Sequence, residues 1–120
     1  MNNIQWKYED DILAGTTLRD PSLPENNNMA LHACQDQEAV LNNRAALSEV
    51  LGIQPSQWTF AMQTHSDHIQ EVTKADAGRG SIRFEDGIPD CDTLYTKEKN
   101  LAIGVFHADC VPVLLYDPFS

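Results

Sequence analysis

The chain has 120 residues, room for one domain (1–120) with a single core. Eighteen acidic residues against eight basic ones leave a net charge of −10, which repels nucleic acid and anionic lipid. No run nears the roughly 18 apolar residues of a membrane-spanning helix, so neither nucleic acid nor membrane is expected as a partner. The opening MNNIQWKYED has no basic or apolar leader segment, and a cytoplasmic location is expected. Cys34, Cys91 and Cys110 form no Cys-x-x-Cys pair, which argues against a disulfide scaffold and excludes a four-cysteine zinc site within the chain.

In chain order, RDPSLPENNN (Arg19 to Asn28) is dense in turn formers and reads as a loop. A helix follows: Asp36 can cap it, QEAVLNNRAALSEVL supplies good formers, and Gly52 stands at the C′ position. Val40, Leu47 and Val50/Leu51 form its apolar stripe, widened by Leu41 and Ala45, with Arg44 near the edge. WTFAMQ alternates as a strand, with Trp58, Phe60 and Met62 on one face and Thr59, Ala61 and Gln63 on the other. HIQEVT predicts a second strand and DAGRGSIRFEDGIPD a polar connection. NLAIGVF predicts a strand buried on both faces, and VPVLLY another, with Pro112 at an entry, edge or bulge. Strands mixed with one strong helix define an α+β class, a mixed sheet with packed helices.

Two local pairings carry possible chemistry. His65 and His68 are three apart, as are His107 and Cys110. On a strand that offset points the two side chains to opposite faces, so neither pair is a two-ligand motif by itself. His32, His68 and His107 are expected to be structural or surface residues. Cys110 interrupts two apolar runs within HADC and reads either as a buried small hydrophobe or as a metal-bound thiolate or nucleophile; composition does not choose. Dinucleotide, P-loop, Gly-x-Ser-x-Gly, His-Glu-x-x-His and deaminase signatures are absent.

Five segments in order resemble one family. NMALH (Asn28 to His32) is similar to its Asn-Leu-Gly-Leu-His stretch, and DQEAVLNNRAAL to its acid-led helix containing Asn-Arg, here Asn43-Arg44. QTH (Gln63 to His65) is similar to its Gln-x-His, DTLYT to its Asp-Gly-Leu-x-Thr, and ADCVPVLLYDP to its Ala-Asp-Cys-x-Pro segment. The chain thus resembles the N-terminal part of the YfiH/YlmD type, the laccase-domain or polyphenol-oxidase-like proteins. Ala30, Ser66 and Thr93 stand where that pattern favours glycine.

The resemblance implies a YfiH-like fold and a zinc site, with His65 and Cys110 as metal-binding and catalytic residues. It implies a purine nucleoside phosphorylase with adenosine deaminase activity, acting on inosine, adenosine or methylthioadenosine with phosphate. Asn28, Arg44 and Gln63 are the candidate substrate-binding residues, and Asp109 either orients a ligand or caps a turn. The family's third ligand lies in a downstream His-Ala-Gly-Trp-Arg-Gly segment absent from these residues, so the sequence reads as truncated. VPVLLY is then expected to expose a sheet edge that favours self-association. The alternatives are copper-dependent polyphenol oxidation, a metal-free cysteine hydrolase using Cys110 and His65, and an inactive zinc-binding fragment.

Overall fold

The computed structural model describes residues 4–9, 12–107 and 112–116. Two compact units divide the chain, residues 1–50 and residues 51–120.

The first unit opens with an antiparallel hairpin of β1 (Ile4–Glu9) and β2 (Ile12–Thr17), in register from Ile4 opposite Thr17 to Glu9 opposite Ile12. The sequence reading leaves this hairpin unassigned. The Arg19–Asn28 loop contains a left-handed turn, with φ of 49° at Glu25, 57° at Asn26 and 69° at Asn27. Asn tolerates that conformation better than most residues. The buried Asn27 side chain also donates to the Leu18 carbonyl at 2.9 Å.

Helix α1 (Gln37–Leu51) has the predicted boundaries. Asp36 caps it by accepting from the Glu38 N–H at 3.1 Å, and Gly52 follows at φ 69°. Val40 and Leu47 are buried as expected, whereas Val50 is 52% exposed and Ala45 is also exposed. The buried stripe is instead completed by Asn43 and Ser48. Asn43 is tolerated there because its amide donates to the carbonyls of Pro24 at 2.9 Å and Asn28 at 3.0 Å.

In the second unit β3 (Trp58–Phe60) pairs in parallel with β6 (Ala102–Gly104), and β4 (Ile69–Val72) with β5 (Thr93–Thr96). The alternation expected of WTFAMQ is present, but the smaller side chains face inward. Thr59 and Ala61 are buried, while Trp58 and Phe60 are half-buried. Thr59 satisfies its hydroxyl on the Asp76 carbonyl at 2.8 Å. The core comprises Ala61, Val72, Ile88, Cys91 and Leu94, with Leu101 and Ile103 packed against it.

The polar connection from residue 74 to 91 is built of short 3-10 turns and backs onto the other edge of β3. Gly78 N–H donates to Trp58 at 2.8 Å, Phe60 N–H to Arg79 at 2.9 Å, and Ile88 N–H to Phe60 at 3.1 Å. Met62 N–H then donates to Ile88 at 2.7 Å, so β3 is bonded along both edges.

Two strand expectations are corrected. β6 covers only Ala102–Gly104, and its residues are half-buried rather than buried on both faces. VPVLLY forms no strand over residues 112–116, where Leu115 is 92% and Val113 72% exposed. Among the described residues no strand pairs with that segment, and apolar content without a partner does not make a strand.

Trp58 stacks on Phe60 with centroids 5.5 Å apart, and Phe60 on Phe106 at 5.1 Å. The stack closes over Gly104, opposite Phe60 in the β3–β6 register. A Cβ at Gly104 would overlap the Phe60 ring edge, with Cδ1 at 2.8 Å. Because rings flank Phe60 on both sides, it cannot swing away cheaply. Gly104→Ala is expected to destabilise the fold by about 1–3 kcal/mol, read by urea denaturation. Adding Phe60→Leu should recover part of that loss, whereas simple additivity of the two changes would contradict the overlap.

Candidate functional site

The Gln-x-His segment leaves β3 just past the Ala61–Ile88 bridge, and two side chains fix its path. Gln63 faces the backbone of Phe106. Its Nε2 donates to the Phe106 carbonyl at 2.9 Å, and its Oε1 accepts the Phe106 N–H at 2.7 Å. A side-chain amide thereby continues the β3–β6 pairing beyond the last strand residue.

The second clamp is Asp92, immediately before β5. Its carboxylate accepts three successive backbone N–H groups, from Thr64 at 2.9 Å, His65 at 3.1 Å and Ser66 at 2.9 Å. The Ser66 hydroxyl adds a bond of 3.0 Å. Partial burial alone would raise the Asp92 pKa, but the donors from Ser66, Thr64 and His65 outweigh it and hold the carboxylate below its ordinary range. The stabilisation from this group is thus present above the ordinary carboxylate pKa and is lost as pH falls through the lowered one.

The clamp holds His65 at φ 61°, in left-handed backbone. Its imidazole is exposed and has no hydrogen-bond partner among the described residues. His68 differs: its Nδ1 lies 2.8 Å from the Asp90 carbonyl and 3.2 Å from the Asp90 carboxylate. The carbonyl first, then the carboxylate charge, raise its pKa. That is the structural role expected of His68. Asp90 also accepts from the Thr64 hydroxyl at 2.6 Å.

Asn28 and Arg44 belong to the first unit. The Asn28 amide donates to the Ala33 carbonyl at 2.8 Å and to Glu25 Oε1 at 3.3 Å, while its Oδ1 accepts the Ala30 N–H at 3.0 Å. The side chain braces the turn that carries NMALH. Arg44 Nε donates to the Met29 carbonyl at 2.8 Å. Burial pushes its pKa down to about 10, against an opposing pull from Cys34, and the guanidinium stays charged at neutral pH. Burial and then the Arg44 charge lower the pKa of the neighbouring His32.

Cys91 is a core residue whose thiol donates to the Thr93 carbonyl at 3.1 Å. Cys34 is half-buried, with its thiol 3.4 Å from the Leu31 carbonyl. Cys110 and Asp109 lie outside the described residues. Among the described residues no three His, Cys, Asp or Glu side chains gather as a metal site. Arg79 braces the connection through the Asp76 carboxylate at 3.2 Å and the carbonyls of Asp86 at 3.1 Å and Gly87 at 3.2 Å. Asp92 was visible beforehand only as the first residue of DTLYT; its role depends on a contact 26 to 28 residues distant.

The chain is thus of the α+β class, with parallel strand pairs that deliver a clamped histidine loop in one unit and a capped helix carrying Asn-Arg in the other. A family profile described as multi-copper polyphenol oxidoreductase laccase matches residues 17–120, and the chain belongs to that family. It is 32% identical over 112 residues to the purine nucleoside phosphorylase YlmD of Bacillus subtilis, covering 90% of this chain and 40% of that protein. With the purine nucleoside phosphorylase YlmD of Geobacillus stearothermophilus the identity is 40% over 91 residues, covering 76% of this chain and 33% of that protein. The crystal structure of Bacillus licheniformis hypothetical protein YfiH superposes with a TM-score of 0.84 at 36% identity, over 89% of this chain and 42% of that one. The chain thus spans less than half the length of these relatives. Among its described residues no helix is long and apolar enough to cross a membrane.

The Gln63 clamp generates a test. Gln63→Leu removes both side-chain hydrogen bonds to the Phe106 backbone and is expected to cost about 1–3 kcal/mol. Gln63→Glu supplies an acceptor for the N–H but sets a carboxylate against the carbonyl. Its folded-state pKa should be raised, so its stability deficit should shrink as pH falls through that raised value towards the ordinary glutamate pKa. Chemical denaturation at pH 7 and pH 4.5 measures this; a deficit independent of pH would count against the pairing.

Proposed function

We propose that these residues form part of a zinc-dependent purine nucleoside phosphorylase with adenosine deaminase activity, working on small nucleosides and phosphate in the cytoplasm. The observation that carries this reading is His65, an exposed imidazole with no hydrogen-bond partner among the described residues, on a backbone pinned by Asp92. The names of the relatives support the purine nucleoside phosphorylase part of it. A neutral imidazole is a suitable zinc donor. Cys110 is the second proposed ligand: Gln63 holds Phe106, and four residues of chain from Phe106 reach at most about 14 Å. A bound zinc would supply Lewis acidity and keep the Cys110 thiol deprotonated.

The remaining roles fall to the chain's own side chains. Phosphorolysis joins a phosphate oxygen to the anomeric carbon, and the purine departs with the electrons of its glycosidic bond. An anionic co-substrate approaching a chain of net charge −10 requires a local cation, and Arg44, charged and held by Met29, is the proposed one. Asn28, which braces the NMALH turn, and Gln63, which braces the Gln-x-His loop, are the further proposed substrate-binding residues. The laccase description of the family makes copper the rival metal.

Metal analysis and an assay for purine base release, with and without phosphate, test the reading in the whole protein that carries these residues. His65→Ala and Cys110→Ala are expected to lose zinc and at least 100-fold in phosphate-dependent turnover. Cys34→Ala and Cys91→Ala should retain the metal. Copper in place of zinc with phenol oxidation, or equal zinc in all four variants, would overturn the assignment. Residues 1–120 alone are expected to show no turnover above background.

A further inference from the structure

We propose that Asp92 is the positioning residue for His65, setting where the imidazole is presented by holding residues 64–66 in one backbone geometry. The proposal rests on the reading of His65 as a metal ligand. Three consecutive N–H groups converging on one carboxylate form a local electropositive concavity, and a fixed anion is the natural occupant. Asp92 fills it with bonds of 2.9, 3.1 and 2.9 Å, and the Ser66 hydroxyl adds one of 3.0 Å. The residue at the centre is His65, which adopts φ 61° although it carries a Cβ. Left-handed backbone is disfavoured for such a residue, so the loop would relax if the anion were removed.

The arrangement does not serve core packing, since Thr64 and His65 are exposed. It does serve placement. Asp92 sits directly before β5, whose Thr93 is in register with Ile69 of β4, so the carboxylate is anchored to the sheet rather than to a mobile loop. Gln63 ties the other end of the segment to Phe106. His65 is thus held from both sides while its imidazole stays unengaged among the described residues. His68, three residues on, has its ring tied to Asp90 and needs no such device.

Backbone amide exchange by NMR and zinc affinity by competition with a chelating dye test the proposal in the whole protein. In Asp92→Asn the amides of 64–66 are expected to exchange at least tenfold faster, with those of Val72 and Leu94 unchanged. Zinc affinity should fall roughly 10–100-fold, as when other supporting residues of metal sites are removed. Asp92→Glu keeps the charge and moves the carboxylate by one methylene, so placement predicts a similar loss and a charge-only role predicts wild-type affinity. Ser66→Ala, the mildest change, should lose roughly twofold or more and serves if the Asp92 variants unfold. Unchanged loop exchange, or wild-type zinc affinity in these variants while His65→Ala loses zinc, overturns the positioning role alone. Wild-type affinity in His65→Ala overturns the ligand reading on which it rests.

Discussion

Strand β3 is hydrogen-bonded along both edges, and the arrangement of the elements packed around it follows from that constraint. A strand of three residues has little pairing of its own, so each edge recruits whatever backbone is near. β6 takes one edge in parallel register, and the Gly78–Arg79 and Ile88 segments take the other. This double pairing explains why the small side chains of β3 face inward. Thr59 and Ala61 leave space for the connection to close over them, and bulky residues there would hold it off. Gly80 belongs to the same requirement. At φ 76° it turns the chain so tightly against β3 that a Cβ would lie 3.0 Å from the Phe60 carbonyl oxygen.

Where β3 ends, its pairing logic continues through side chains. The Gln63 amide presents one donor and one acceptor to Phe106, as a peptide unit of a neighbouring strand would. Asp92 then does for three N–H groups what a helix cap does for two. The energetic balance favours this. A left-handed non-glycine residue costs about 1–2 kcal/mol, whereas each hydrogen bond to a charged group returns about 1.5–3 kcal/mol. Three such bonds outweigh one strained residue even after discounting for partial exposure. The Glu25 carboxylate works in the same way in the other unit, accepting the Asp36 N–H at 2.6 Å from within its own left-handed turn.

Legibility in sequence tracked how local the determining contact was. Helix α1 was readable because its cap, its formers and its terminating glycine all lie within it. Its buried face was only half readable, because Asn43 earns its burial from Pro24 and Asn28 carbonyls that no helical periodicity records. β5 was missed since Thr93–Thr96 alternates too briefly to stand out, and it exists by pairing with β4. VPVLLY erred the other way: strong β-propensity, but no partner strand among the described residues. The motif resemblance located Gln63 and His65 and suggested substrate contact for Gln63. It could not reveal that the Gln63 amide faces a backbone 43 residues away.

The contrast between His65 and His68 carries the functional argument a last step. Both are exposed, both lie on one loop, and composition treats them alike. The fold does not. His68 receives a carbonyl and a carboxylate, which occupy its Nδ1 and favour its protonated form. Among the described residues His65 receives nothing on its ring, while its surrounding backbone donates three hydrogen bonds to one carboxylate. A histidine kept for stability has its ring satisfied; one kept for ligation has its ring left open and its main chain held still. Of the two, and among the described residues, His65 fits the second description, which is why the proposed metal-binding role falls to it rather than to its neighbour.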